Sequence, residues 1–244
     1  LLSVDKQNMG FCGSEKKTTF SAKRSLILTV FCFLVVSFCS GEDIRFHLWS
    51  QLDAYPGSAE AKDLSAGVFD YPIKSMKETA PFLVSGMVYG WKFTYTPSDK
   101  TRAVNEFFEL EEIQNFEPLI SKITYEAPWI SEEDARLNCW VCFKRDAFQE
   151  RNFQLWSSIK NPSVGGRGYG SIEKGFSGIV DASKDAVKNG IRDYFRNEIK
   201  NKPKEISGVL IIRKNPVIGI VSGKYVIYLD FFIDSVKIIP YSVY

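Results

Sequence analysis

The chain has 244 residues, with 31 basic and 29 acidic side chains and a single histidine. Hydrophobic residues make up 45% of it and aromatics 14%, enough to build a packed core and too much for a disordered chain. The net charge of +2 is set by the N-terminus: beyond residue 41 there are 26 basic and 27 acidic residues, net −1, which removes any basic footprint for nucleic acid.

The first forty residues read as an export signal. Lys16, Lys17, Lys23 and Arg24 precede an uncharged apolar run over residues 25–38 (SLILTVFCFLVVSF). As a helix that run spans about 21 Å. A bilayer core needs about 30 Å, so the length suits a cleavable signal better than an anchor. Cys39-Ser40-Gly41 follows, with two small residues one apart, before charge returns at Glu42 and Asp43. Cleavage after Gly41 is the first expectation. Val36-Ser37-Phe38-Cys39 also resembles a bacterial lipobox, in which Cys39 is lipidated and becomes the first mature residue. An uncleaved anchor is the third alternative. Each delivers the domain across a membrane.

The 203 residues after position 41 hold only two of the five cysteines, Cys139 and Cys142, so the exported part is no disulfide scaffold. It also lacks an Asn-x-Ser/Thr site with a permitted middle residue, which favours a bacterial origin. Residues 82–95 (FLVSGMVYGWKFTY) read as a strand, because Met87, Tyr89, Trp91, Phe93 and Tyr95 alternate with Lys92 and Thr94 on the other face. Residues 96–100 form a turn around Pro97 and Asp99, and residues 103–113 return as the second arm of a hairpin. Residues 119–126 and 135–144 are two more strand candidates. The glycine-rich stretch 161–171 (NPSVGGRGYGS) reads as a connector between an N-terminal β-rich part, residues 42–160, and a C-terminal part, residues 172–244.

Residues 173–201 carry the 3.6-residue period. Phe176, Ile179, Val187, Ile191, Phe195 and Ile199 fall on one stripe, and Pro203 stops the helix. Strands over 207–213, 217–221 and 224–239 close the chain, with Ser222-Gly223 as a hairpin turn. In the last of them Tyr225, Ile227, Leu229, Phe231 and Ile233 share a face opposite Asp230 and Asp234. The expected fold is α+β: a mostly antiparallel sheet with one long amphipathic helix packed on it.

The chemistry-bearing groups are few. Cys139-Trp140-Val141-Cys142 has CxxC spacing, yet inside a strand residues three apart face opposite ways, so core cysteines are expected rather than a redox or metal pair. Any histidine mechanism must pass through His47, which lies six residues after the expected cut, where chains are often loosely held. Gly165, Gly166, Gly168 and Gly170 with Arg167 have the composition of an anion cradle but match no phosphate-loop pattern. Glu111-Glu112 and Glu132-Glu133-Asp134 lack calcium-loop spacing and read as solvated surface. Tyr89, Trp91, Phe93 and Tyr95 form either a core face or an aromatic-lined pocket for an apolar or ring-bearing ligand. No cofactor or metal is called for.

The sequence thus points to an exported protein of the bacterial periplasm or outer envelope, working as a non-enzymatic binding or interaction module. Its partner is left open between a membrane surface and an apolar or aromatic ligand. The alternatives are an envelope hydrolase using carboxylates without histidine, or a lipid-binding protein that lays its amphipathic helix on a membrane.

Overall fold

The computed structural model describes residues 43–56, 67–158 and 160–241; the leader expected over residues 1–41, and Cys39 with it, lies outside these described residues. In chain order the elements are β1 (Ile44–Gln51), α1 (Asp70–Val88), β2 (Trp91–Thr96), β3 (Phe107–Glu112), β4 (Thr124–Ser131), β5 (Arg136–Phe143), α2 (Ala147–Trp156), β6 (Ser163–Ser171), α3 (Phe176–Glu198), β7 (Glu205–Ile212), β8 (Val217–Val221) and β9 (Lys224–Ile239). They make two sheets, a three-stranded β1-β5-β4 and a larger β3-β2-β7-β9-β6, with β8 also paired to β9. Every strand pair is antiparallel. The fold is α+β.

The C-terminal strands form as their alternation predicts. Tyr225, Ile227, Leu229, Phe231 and Ile233 are all buried, and Ser222 and Gly223 turn the β8–β9 hairpin with φ of 51° and 70°. The tight primed turns that hairpins favour need positive φ at both central residues. Helix α3 occupies most of the stretch expected to be helical. Ile179, Val187 and Ile191 are at most 2% exposed, so its apolar stripe is spent on the sheet.

Three stretches depart from expectation. Residues 82–88 are the last two turns of α1, and only residues from Trp91 onward are strand. The helix buries Met76, Ala80, Leu83, Val84, Met87 and Val88, a 3.6-residue stripe that begins before the apolar run and carries through Pro81. Gly90, at φ 80°, ends the turn where a β-carbon would lie 2.1 Å from the Leu210 carbonyl oxygen. Residues 119–126 are likewise mixed, a 3-10 turn (Glu117–Lys122) followed by the start of β4.

The third departure is the glycine-rich stretch, which is a strand and not a connector. β6 pairs with β9 over its whole length, with Gly168 opposite Ile227. Three of its four glycines make room for α3. A β-carbon at Gly166 would sit 2.0 Å from the Ala186 carbonyl, at Gly168 2.1 Å from the backbone of Ala182 and Ala186, and at Gly170 1.9 Å from the Gly178 carbonyl. Gly178, Ala182, Ala186 and Gly190, four residues apart on α3, supply the facing groove. The helix also reaches past the strand: Asp185 accepts from the Tyr169 backbone N–H at 3.0 Å, and the Asn189 side-chain amide donates to the Arg167 carbonyl at 2.9 Å.

The short helix α2 is locally specified by Asp146, whose carboxylate accepts from the N–H groups of Phe148 and Gln149 while Gln149 reaches back to the Asp146 N–H. Beside it the buried Arg145 donates to the Met87 carbonyl at 2.9 Å and lies over the Phe153 ring. A cation at the C-terminus of α1 also favours the helix dipole.

Candidate functional site

Trp91 and Phe93 are fully buried and Tyr95 is 2% exposed. They are core side chains, and of the three Tyr95 reaches the wall of a shallow cavity beside Pro97 and Glu106. Tyr89 does not share their face, because it ends α1 and Gly90 intervenes; its hydroxyl accepts from Gln149 at 3.2 Å. Burial, with Glu106 accepting the hydroxyl hydrogen at 2.9 Å, raises Tyr95 above the ordinary phenol value.

His47 is held in β1 opposite Trp140, so it is not the loose terminal residue its position suggests. Its ring stacks on Trp129 at 5.2 Å, and Nε2 lies 3.1 Å from Asn138 Oδ1. Residues 165–170, whose composition alone suits an anion cradle, are instead strand backbone paired with β9. Glu111 faces Lys92 across the β2–β3 pair at 3.6 Å, and Glu132, Glu133 and Asp134 lie in the exposed β4–β5 turn. Two carboxyls are shifted, and both stay ionised. Burial pushes Asp230 up, but hydrogen bonds from Lys214 and Ser163 and the nearby Lys214 and Arg213 charges outweigh it and hold the group below the usual carboxylate range. The Arg102 guanidinium hydrogen-bonds Asp99 and lowers it in the same way.

Cys139 is buried and Cys142 partly so; both are free thiols. Burial, then the neighbouring Cys142, raises Cys139 to about 11, so it is a poor nucleophile. Its Sγ lies 3.4 Å from the Met76 sulfur, on the wall of a cavity that sequence reasoning did not find.

That cavity, of about 560 Å³, opens between the first two turns of α1 and the inner face of β4–β5. Phe69, Ile73 and Met76 line one side, and Tyr125, Trp129, Ile130 and Leu137 the other. It forms where β4 bulges between Glu126 and Trp129, with Ala127 at φ 46° and Pro128 beside it, so the strand stands off the helix. Large apolar side chains are exposed around it: Phe69, Ile73 and Trp129 at 41% each and Ile130 at 47%. Isolated exposed apolar residues are ordinary, but a cluster continuous with a cavity marks a binding surface. Burial pushes Tyr125 up to about 12, a sign of how dry the wall is. The lining residues are scattered from position 69 to position 139, so no local pattern could have announced them. Among the described residues no group of three or more His, Cys, Asp or Glu is placed to hold a metal ion.

The structure defines an antiparallel α+β protein with an apolar concavity beside its first helix. The chain belongs to the protein family whose sequence profile matches residues 37–241. It is similar to a protein of Treponema pallidum (strain Nichols) named "Uncharacterized protein", with 30% identity over 206 residues, 82% of this chain and 83% of that one. No solved structure matches it.

Proposed function

We propose that the protein is a non-enzymatic binding module of the bacterial cell envelope, exported by its leader, that holds an apolar ligand in the cavity beside α1. The observation that carries the reading is that cavity: its volume lies in the range of small-molecule sites, and exposed Phe69, Ile73, Trp129 and Ile130 surround it. Export is supported by the basic and apolar segments before residue 39. Against the membrane-surface alternative, the apolar stripe of α3 is buried under the sheet.

The uncharged dye Nile red tests the binding claim. The protein should take it up saturably with increased emission, and Ile73→Asp, which puts a charge on the cavity wall, should abolish uptake without lowering the unfolding free energy by more than about 1 kcal/mol. Absence of saturable uptake refutes the reading. Export is tested by mass spectrometry of the mature N-terminus, expected at Glu42 or at a lipidated Cys39. Recovery of an intact peptide spanning residues 23–38 from fractionated cells overturns it.

A further inference from the structure

We infer that the ligand is a single-chain anionic amphiphile, its alkyl chain lying along Ile73, Met76 and Leu137 and its head group meeting the Lys77 ammonium; this rests on the binding-module reading above. Charge complementarity carries it. Three ionisable side chains line the cavity: Lys77, Tyr125 and Cys139. Burial holds the tyrosine at about 12 and the cysteine at about 11, so both are neutral at physiological pH. The wall therefore carries one positive charge and no acid.

The placement of that charge fits an amphiphile. Ile73 and Lys77 are four residues apart on α1, one above the other on the same face and about 6 Å apart along its axis. Met76 is buried between the helix and the sheet, whereas Lys77 is exposed. A lysine so placed runs its methylenes along the apolar wall and keeps its head in water. Among the described residues, no ion pair joins Lys77 to an acid. The nearest acid on the same face, Asp70 two turns earlier, accepts from the Gly67 N–H at 3.0 Å. An uncharged ligand would fill the cavity and leave this ammonium unused, and a cationic one would be repelled by it.

The test uses the mature chain and displacement of Nile red by three C12 amphiphiles, dodecanoate and dodecyltrimethylammonium below their micellar concentrations and dodecanol below its solubility limit. An exposed ion pair contributes up to about 1 kcal/mol, so dodecanoate should bind about five-fold more tightly than dodecanol at low salt, and the ammonium compound more weakly than either. Lys77→Met should equalise the three, Lys77→Glu should reverse their order, and added salt should shrink the differences. Lys77 is exposed, so both variants should keep the parent's thermal midpoint. Equal binding of all three by the parent protein, or an unchanged order in Lys77→Glu, overturns the inference and leaves the binding module standing. Failure to bind Nile red removes both. Partition onto phosphatidylglycerol vesicles without displacement of the dye by dodecanoate also overturns it, because the surface would then dock on a bilayer instead of taking one chain.

Discussion

Gly168→Ala adds one methyl group where two backbones meet. Its β-carbon would lie 2.1 Å from both the Ala182 carbonyl oxygen and the Ala186 nitrogen, and 2.7 Å from the Ala186 α-carbon. Ordinary carbon contacts sit at about 3.5–4 Å, so α3 would have to lift off β6 by more than about 1 Å. No side chain can rotate away, because these three neighbours are all main chain. Overpacking typically costs about 1–3 kcal/mol, and this site, with Ile179, Val187 and Ile191 seated by the same contact, belongs at or above the top of that range. For a domain of this size about 3 kcal/mol lowers the melting temperature by roughly 6–12 °C. Gly165→Ala is the internal control. It makes the same chemical change in the same strand, but nothing lies within 4 Å of the added carbon. Losing a glycine there should be neutral or stabilising by up to about 1 kcal/mol. Urea and thermal unfolding of the two variants decide the matter. Equal midpoints would refute the argument that close approach of α3 is why this strand is glycine-rich.

Ile191→Ala should destabilise the protein by about 2–5 kcal/mol in chemical denaturation, with negligible liposome partition before or after, since the side chain is fully buried against the sheet. Asp230 has its carboxyl held below the ordinary value, so its contribution is complete above about pH 4 and is lost as pH falls further through the folded-state value. The parent's denaturation midpoint should therefore drop more steeply below pH 4 than that of Asp230→Asn. Cys139, raised to about 11 by burial, should resist maleimide at pH 8 until the chain is unfolded, and non-reducing peptide mapping should find no Cys139–Cys142 linkage. Labelling of Cys139 in the folded protein at the rate of an exposed thiol would contradict its place in the core.

Much of the C-terminal half was legible in the sequence, because Tyr225 to Ile233 alternate cleanly and α3 has both a stripe and a stop. The N-terminal half was harder for definable reasons. Residues 82–88 are apolar at nearly every position, and so short a run fits strand and helix equally; the deciding period, Met76–Ala80–Leu83–Met87, begins before Pro81. In β6 the glycines suggested looseness because their partners are remote in sequence. The second half of that signal was Gly178, Ala182, Ala186 and Gly190, spaced to face a bare strand. The cavity was not legible at all. It depends on a bulge at Ala127–Pro128 and on residues some seventy positions apart, which only the folded chain brings together.

The closeness of α3 to β6 has a consequence for how the protein behaves among copies of itself. β6 is the last strand of its sheet, and an open strand edge is a template on which another chain can build. At Arg167 and Tyr169, adjacent outward positions of that edge, Asn189 and Asp185 already occupy the carbonyl and the N–H that an incoming strand would use. The helix can reach them only because the glycine row lets it lie so low. Bulk added to that row would therefore do two things at once, loosening the core and uncovering the edge. A chain damaged there would offer β6 to a second copy just as its own packing weakens.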